Sequence, residues 1–137
     1  MITKMIDCIL KQWKRMKEFD KKKIGIIGLG KRFDNVYKQI LEKLGCKIYV
    51  WNRTKEKALK YANNQKYVIC DTLEDIKNSN LDICLSFIPG EVNFKLLGKL
   101  DLNCNLLIET PVLDKRWIGK NNVGVLEQWP YLPVEQM

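Results

Sequence analysis

Six short apolar runs alternate with helix-like segments between residues 23 and 128, and no other feature constrains the fold as much. Lys23 to Gly28, "KIYVW" (47–51), "YVIC" (67–70), "LDICLSFIP" (81–89), "NLLIET" (105–110) and "VGVLEQ" (123–128) read as strands. Between the first two, "FDNVYKQILEKL" (33–44) sets Phe33, Val36, Tyr37, Ile40, Leu41 and Leu44 at helical spacing, and Gly45 follows as a C′ glycine. "KEKALKYANN" (55–64), "TLEDIKNS" (72–79) and "EVNFKLLGKL" (91–100) read as further helices, and a short one is expected near 114–118. Thr72 is placed to act as an N-cap. Such alternation predicts right-handed β-α-β units, hence an α/β, doubly wound parallel sheet of about six strands with helices on both faces. The fourth strand is apolar nearly throughout, so both its faces are expected to be buried.

Residues 1–20 precede this pattern as a separate element, and residues 21–137 form one domain. Ile2, Met5, Ile6, Ile9, Leu10, Trp13 and Met16 share one face of an amphipathic helix whose other faces carry lysine and arginine. That stripe is expected to pack on the domain itself or on a second subunit. The five cysteines include no C-x-x-C pair and the chain has no histidine, which argues against a zinc or iron–sulfur site. The net charge of +8 is spread along the chain without a nucleic-acid motif, so an anionic small molecule fits better than DNA or RNA. No apolar run is long enough to span a bilayer. The expected location is cytoplasmic, with no membrane and no nucleic acid as partner.

The chemistry concentrates at strand ends. In "KKIGIIGLGKRFDNVY" (22–37) the first strand stops at Gly28 and Gly30, and a helix starts at once. A glycine turn there lets the backbone approach a pyrophosphate, which the first amides of the helix then face. Lys31 and Arg32 add charge. Phe33 occupies the place of the usual third glycine, which permits close helix–strand packing, so the helix start is expected to move outward or the turn to widen. The second strand ends at Asn52, Arg53 and Thr54. No carboxylate is there to take a ribose diol. Arg53 suits a 2′-phosphate, which makes NADP the expected cofactor and NAD the less favoured one. The fourth and fifth strands end at Ile88-Pro89 and Glu109-Thr110, completing the candidate cofactor-binding set at the sheet's carboxyl edge. A CoA-binding module is an alternative of similar length.

The succession GLG, WNRT, "DICLSFIP" and "LIETPV" resembles the nucleotide-binding domain of the glucose–fructose oxidoreductase / inositol dehydrogenase (Gfo/Idh/MocA) family, over residues 22 to about 137. The GLG and WNRT pieces are also similar to hydroxyisobutyrate and phosphogluconate dehydrogenases. The Gfo/Idh/MocA resemblance implies a Rossmann domain and a lysine between the glutamate and proline of the fifth strand. It also implies a second, C-terminal domain that often donates a histidine. Here Thr110 stands at the lysine position. No catalytic residue and no metal ligand is therefore nominated. The expectation is an NADP-binding oxidoreductase-like domain, weakly active or inactive alone, working as a homo-oligomer or with a partner subunit. A non-catalytic nucleotide-binding regulatory module is the alternative.

Overall fold

Runs of β-branched and aromatic residues form the strands, and the helix-spaced segments cross between them. In the computed structural model, residues 3, 4, 6, 21–88, 90–98, 100–109, 115–117 and 122–126 are described. The strands are β1 (Lys23–Ile27), β2 (Lys47–Trp51), β3 (Tyr67–Ile69), β4 (Ile83–Ser86), β5 (Asn105–Glu109) and β6 (Val123–Leu126). They make one parallel sheet in the order β3-β2-β1-β4-β5-β6. The chain winds outward from β1 to β3, then returns to the far side of β1 and winds the other way. The order therefore reverses between β1 and β4, and a crevice opens at the carboxyl ends of those two strands.

Alternation along each strand feeds two cores. Ile24, Ile26, Ile48, Val50 and Leu85 face one cluster with Phe33, Val36, Ile40 and Leu41. Ile27, Cys84, Leu106 and Ile108 face the other, with Ile76, Leu97 and Trp117. Cys84 and Leu85 lie in opposite clusters and are both buried, so β4 is covered on both faces as its composition implied. Of the N-terminal stripe, Ile6 is described, and it is buried in the first cluster. Ile2, Met5, Ile9, Leu10, Trp13 and Met16 lie outside the described residues.

The helices are α1 (Lys38–Lys43), α2 (Lys55–Leu59), α3 (Leu73–Lys77) and α4 (Gly90–Leu97), with a 3-10 turn at Lys115–Trp117. Two differ from the periodicity. The segment 33–44 opens as a π-helical turn, Phe33–Tyr37, before it becomes α1, and the Lys38 amide donates to the Phe33 carbonyl. The segment 55–64 is α-helical only to Leu59. Beyond it the Tyr61 and Ala62 amides reach back three residues, to the Ala58 and Leu59 carbonyls, and the helix tightens and stops. Gly45 does end its helix in the left-handed region, at φ 73°.

Thr72 closes a capping box on α3. Its hydroxyl accepts from the Asp75 amide at 3.1 Å, and Asp75 accepts from the Thr72 amide at 3.0 Å. Thr72→Ala is expected to lower stability by about 1 kcal/mol, the usual worth of such a cap. Urea unfolding measures it. Because neither Thr72 nor any residue of α3 lines the crevice, ligand affinity of the folded variant should not change.

Candidate functional site

Gly28 and Gly30 flank the crevice and do different work. Gly28 sits at φ +96°, and a Cβ there would stand 3.0 Å from Ile88 Cγ2 and 3.3 Å from the Phe87 carbonyl carbon. The end of β1 thus lies directly against the end of β4, and only glycine allows it. A Cβ on Gly30 would meet nothing within 4 Å. Its missing side chain leaves open space above the turn, which is what a phosphate approaching the backbone requires.

Phe33 has no exposed surface. It packs edge-on to Tyr61 with ring centroids 6.0 Å apart, and near Phe87 at 6.3 Å. The sequence places it in the cofactor-binding set; in the structure it has no surface to offer a ligand, and it packs in the core instead. The π turn is the widening that its bulk requires. Arg32, just before it, reaches past the end of β4, and its Nε stands 3.3 Å from Glu109 Oε1. Two candidate residues from distant parts of the sequence are thereby paired. Lys31 is exposed beside them.

At the end of β2 the backbone is fastened to the glycine turn. The Gly28 amide donates to the Trp51 carbonyl at 2.9 Å, and the Leu29 amide donates to Asn52 Oδ1 at 2.8 Å. Asn52 Nδ2 donates to the Thr54 carbonyl at 2.8 Å. Arg53 and Thr54 are exposed beyond it.

A groove of about 330 Å³ joins these parts, lined by Gly28, Leu29, Gly30, Asn52, Arg53, Thr54, Lys57, Phe87, Ile88 and Leu96. Arg53 and Lys57 are the ionisable groups among these lining residues, so the groove carries positive charge at one end and apolar walls at the other. Among the described residues neither is held by an ion pair, whereas Lys55 is spent on Asp71 at 2.8 Å and Lys60 on Asp34 at 3.5 Å. Lys57 was missed in the sequence. Its signal was its position in the first turn of α2, directly after the Asn52–Thr54 strand end, and both it and Arg53 line the groove. Leu29, Phe87 and Leu96 were missed as well, as apolar residues without a polar signature. Ile88, from the candidate set, also lines the groove. Pro89 and Thr110 lie outside the described residues.

Other ionisable groups are turned to structural use. Burial, with Asp34 beside it, pushes the Tyr61 hydroxyl well above the usual phenol range, and that hydroxyl donates to Asp34 at 2.7 Å. Burial pushes the Cys70 thiol up to about 11, so it stays protonated and inert near neutrality. Among the described residues no group of three or more His, Cys, Asp or Glu side chains could hold a metal ion. No described helix is long and apolar enough to cross a membrane.

The family model of shikimate / quinate 5-dehydrogenase matches residues 11–90, more than half of the chain, including the glycine turn and the Asn52–Lys57 segment. Among solved structures, shikimate dehydrogenase from Aquifex aeolicus superimposes with a TM-score of 0.62 at 24% identity, over 93% of this chain and 50% of that one. Shikimate 5-dehydrogenase from Thermus thermophilus, in complex with NADP(H) and shikimate, gives 0.63 at 17% identity over 93% and 51%. Glutamyl-tRNA reductase from Methanopyrus kandleri gives 0.57 at 20% identity over 93% and 35%. The chain thus spans about half the length of the shikimate dehydrogenases it is similar to. No curated protein matches it. The likeness to Gfo/Idh/MocA proteins is not what the family match shows; the part held in common is the Rossmann-type half of an oxidoreductase.

Proposed function

The chain belongs to the shikimate / quinate 5-dehydrogenase family, and from this premise we propose that it is an NADP(H)-binding half of a dehydrogenase. The observation that carries the reading is the convergence of Arg53 and Lys57 on one groove with the open space above Gly30. The turn would take the pyrophosphate on backbone amides. Arg53 and Lys57 would take the 2′-phosphate, with the planar guanidinium also able to lie on the adenine face. Leu96 and Ile88 would cover apolar surface and keep water out. When bound, the nicotinamide supplies the hydride chemistry. This chain's own residues hold and orient it, and no proton donor is nominated among the groove's lining residues.

Calorimetry tests the reading. The expected result is tighter binding of NADP⁺ than of NAD⁺, with Arg53→Ala costing about 1.5–3 kcal/mol against NADP⁺ and little against NAD⁺. Equal affinity for the two, or binding of neither, overturns it. Tighter binding of CoA than of either dinucleotide would favour the CoA module instead.

The ionisable groups among the groove's described lining residues, Arg53 and Lys57, are both assigned to the phosphate, which favours a second point about activity. We expect the chain alone to reduce no NADP⁺ with shikimate or quinate, and to need a substrate-binding partner subunit or domain for turnover. Measurable turnover by the isolated chain would refute this and leave the binding reading intact. A partner that binds without turnover would favour the regulatory module.

A further inference from the structure

We infer that Asn52 is a positioning residue that clasps the pyrophosphate turn to the 2′-phosphate loop, and that its carboxamide is required because the two sides need opposite hydrogen-bonding groups. The inference rests on the dinucleotide reading above and changes Asn52's part in it. The sequence places Asn52 in the candidate cofactor-binding set. In the structure both polar atoms of its side chain are used by the protein itself.

The Leu29 amide lies between the two glycines and donates to Asn52 Oδ1 at 2.8 Å. Asn52 Nδ2 donates to the Thr54 carbonyl at 2.8 Å. A donor on one side and an acceptor on the other fix the amide's orientation. Aspartate at the same position could accept from Leu29 but has nothing to donate to Thr54, and its charge would face a carbonyl oxygen. The clasp adds to the neighbouring backbone bond from Gly28 to Trp51. Together they hold the end of β1 and the end of β2 in one register. That register sets the distance between the turn and Arg53, which must match the span between pyrophosphate and 2′-phosphate in a single ligand. A ligand bound at two subsites is held well only when both are presented together.

An acid at the end of the second strand is the device by which a Rossmann domain takes a ribose diol. Here the side chain at that place is turned inward. Adding the acid therefore does not confer NAD binding; it breaks half of the clasp.

The experiment compares Asn52→Ala and Asn52→Asp with the wild type in three measurements: thermal midpoint, affinity for NADP⁺ and NAD⁺, and amide hydrogen exchange at Leu29. In Asn52→Ala, affinity for NADP⁺ is expected to fall about tenfold or more and that for NAD⁺ to fall as well, because the shared turn is loosened. Leu29 should lose exchange protection while the β1 amides keep theirs. In Asn52→Asp, Leu29 should stay protected, NADP⁺ binding should still weaken, and no NAD⁺ preference should appear. A folded Asn52→Ala that binds both dinucleotides like the wild type overturns the clasp, as does a gain of NAD⁺ affinity in Asn52→Asp. A purely structural asparagine would lower the midpoint and leave the affinities alone. Should the wild type bind neither dinucleotide, the functional reading falls, and Leu29 exchange alone decides the clasp: unchanged protection in Asn52→Ala refutes it.

Discussion

Phe33→Gly, which restores the fingerprint's third glycine, is expected to cost about 4–6 kcal/mol of stability and to give no gain in dinucleotide binding. Removing a fully buried phenylalanine side chain costs about 3–5 kcal/mol, and glycine in a helical turn adds about 1 kcal/mol relative to alanine. Phe33 is 0% exposed, so the whole side chain is lost from the core. The cavity would open between Phe87 and Tyr61, and the Phe87 ring, which also packs on Tyr37 at 4.8 Å, would lose a neighbour. A domain of ordinary stability, about 5–15 kcal/mol, would be left marginal. Urea unfolding of Phe33→Gly and Phe33→Leu measures the effect. Leucine should keep most of the stability. A Phe33→Gly protein as stable as the wild type would mean that the π turn relaxes to a regular helix and closes the gap. The aromatic core would then not be what holds the turn open.

The sequence alone made much of this architecture legible. Alternation of β-rich runs and helical spacing gave six strands, most at nearly their observed bounds though β4 occupies only Ile83–Ser86 of its apolar run, and it required a parallel sheet. Gly45 and Thr72 marked helix ends through chemistry that acts within a few residues. What escaped was phase and partnership. Helical spacing of apolar residues does not distinguish a π turn from an α turn over one turn, so Phe33 announced a widening but not its form. Lys55, Lys57 and Lys60 read alike in the sequence. Only the fold sends Lys55 to Asp71 and Lys60 to Asp34 and leaves Lys57 in the groove. Asn52 was legible as a site residue, but its role depends on Leu29, 23 positions away, meeting it across two strand ends. The Arg32–Glu109 pair likewise depends on β5 lying beyond β4. Family assignment was the least legible, because GLG and WNRT describe a dinucleotide-binding half that several oxidoreductases have in common.

Gly28→Val and Gly30→Val are expected to fail in opposite ways, and the contrast bears directly on what the turn is for. Gly28 lies at φ +96°, where a β-branched residue is strained, and its Cβ would press on the backbone of Phe87 and Ile88 at 3.3 and 3.2 Å. Backbone strain of about 1–3 kcal/mol and overpacking of similar size add to about 2–6 kcal/mol. The end of β1 would have to part from the end of β4, so folding itself should suffer. Gly30 is not in the left-handed region, and a Cβ there meets nothing within 4 Å. Gly30→Val should therefore change stability by no more than about 0.5–1 kcal/mol, as surface substitutions do. Its isopropyl group would instead fill the space through which a pyrophosphate reaches the backbone of Gly30 and the helix turn that follows it. NADP⁺ and NAD⁺ should both bind at least about tenfold more weakly, since both carry the pyrophosphate. Thermal midpoints and calorimetry on the two variants give the answer together. If Gly30→Val is destabilised as strongly as Gly28→Val while its folded fraction binds normally, both glycines serve the fold alone. The groove would then owe its open turn to packing, not to a phosphate.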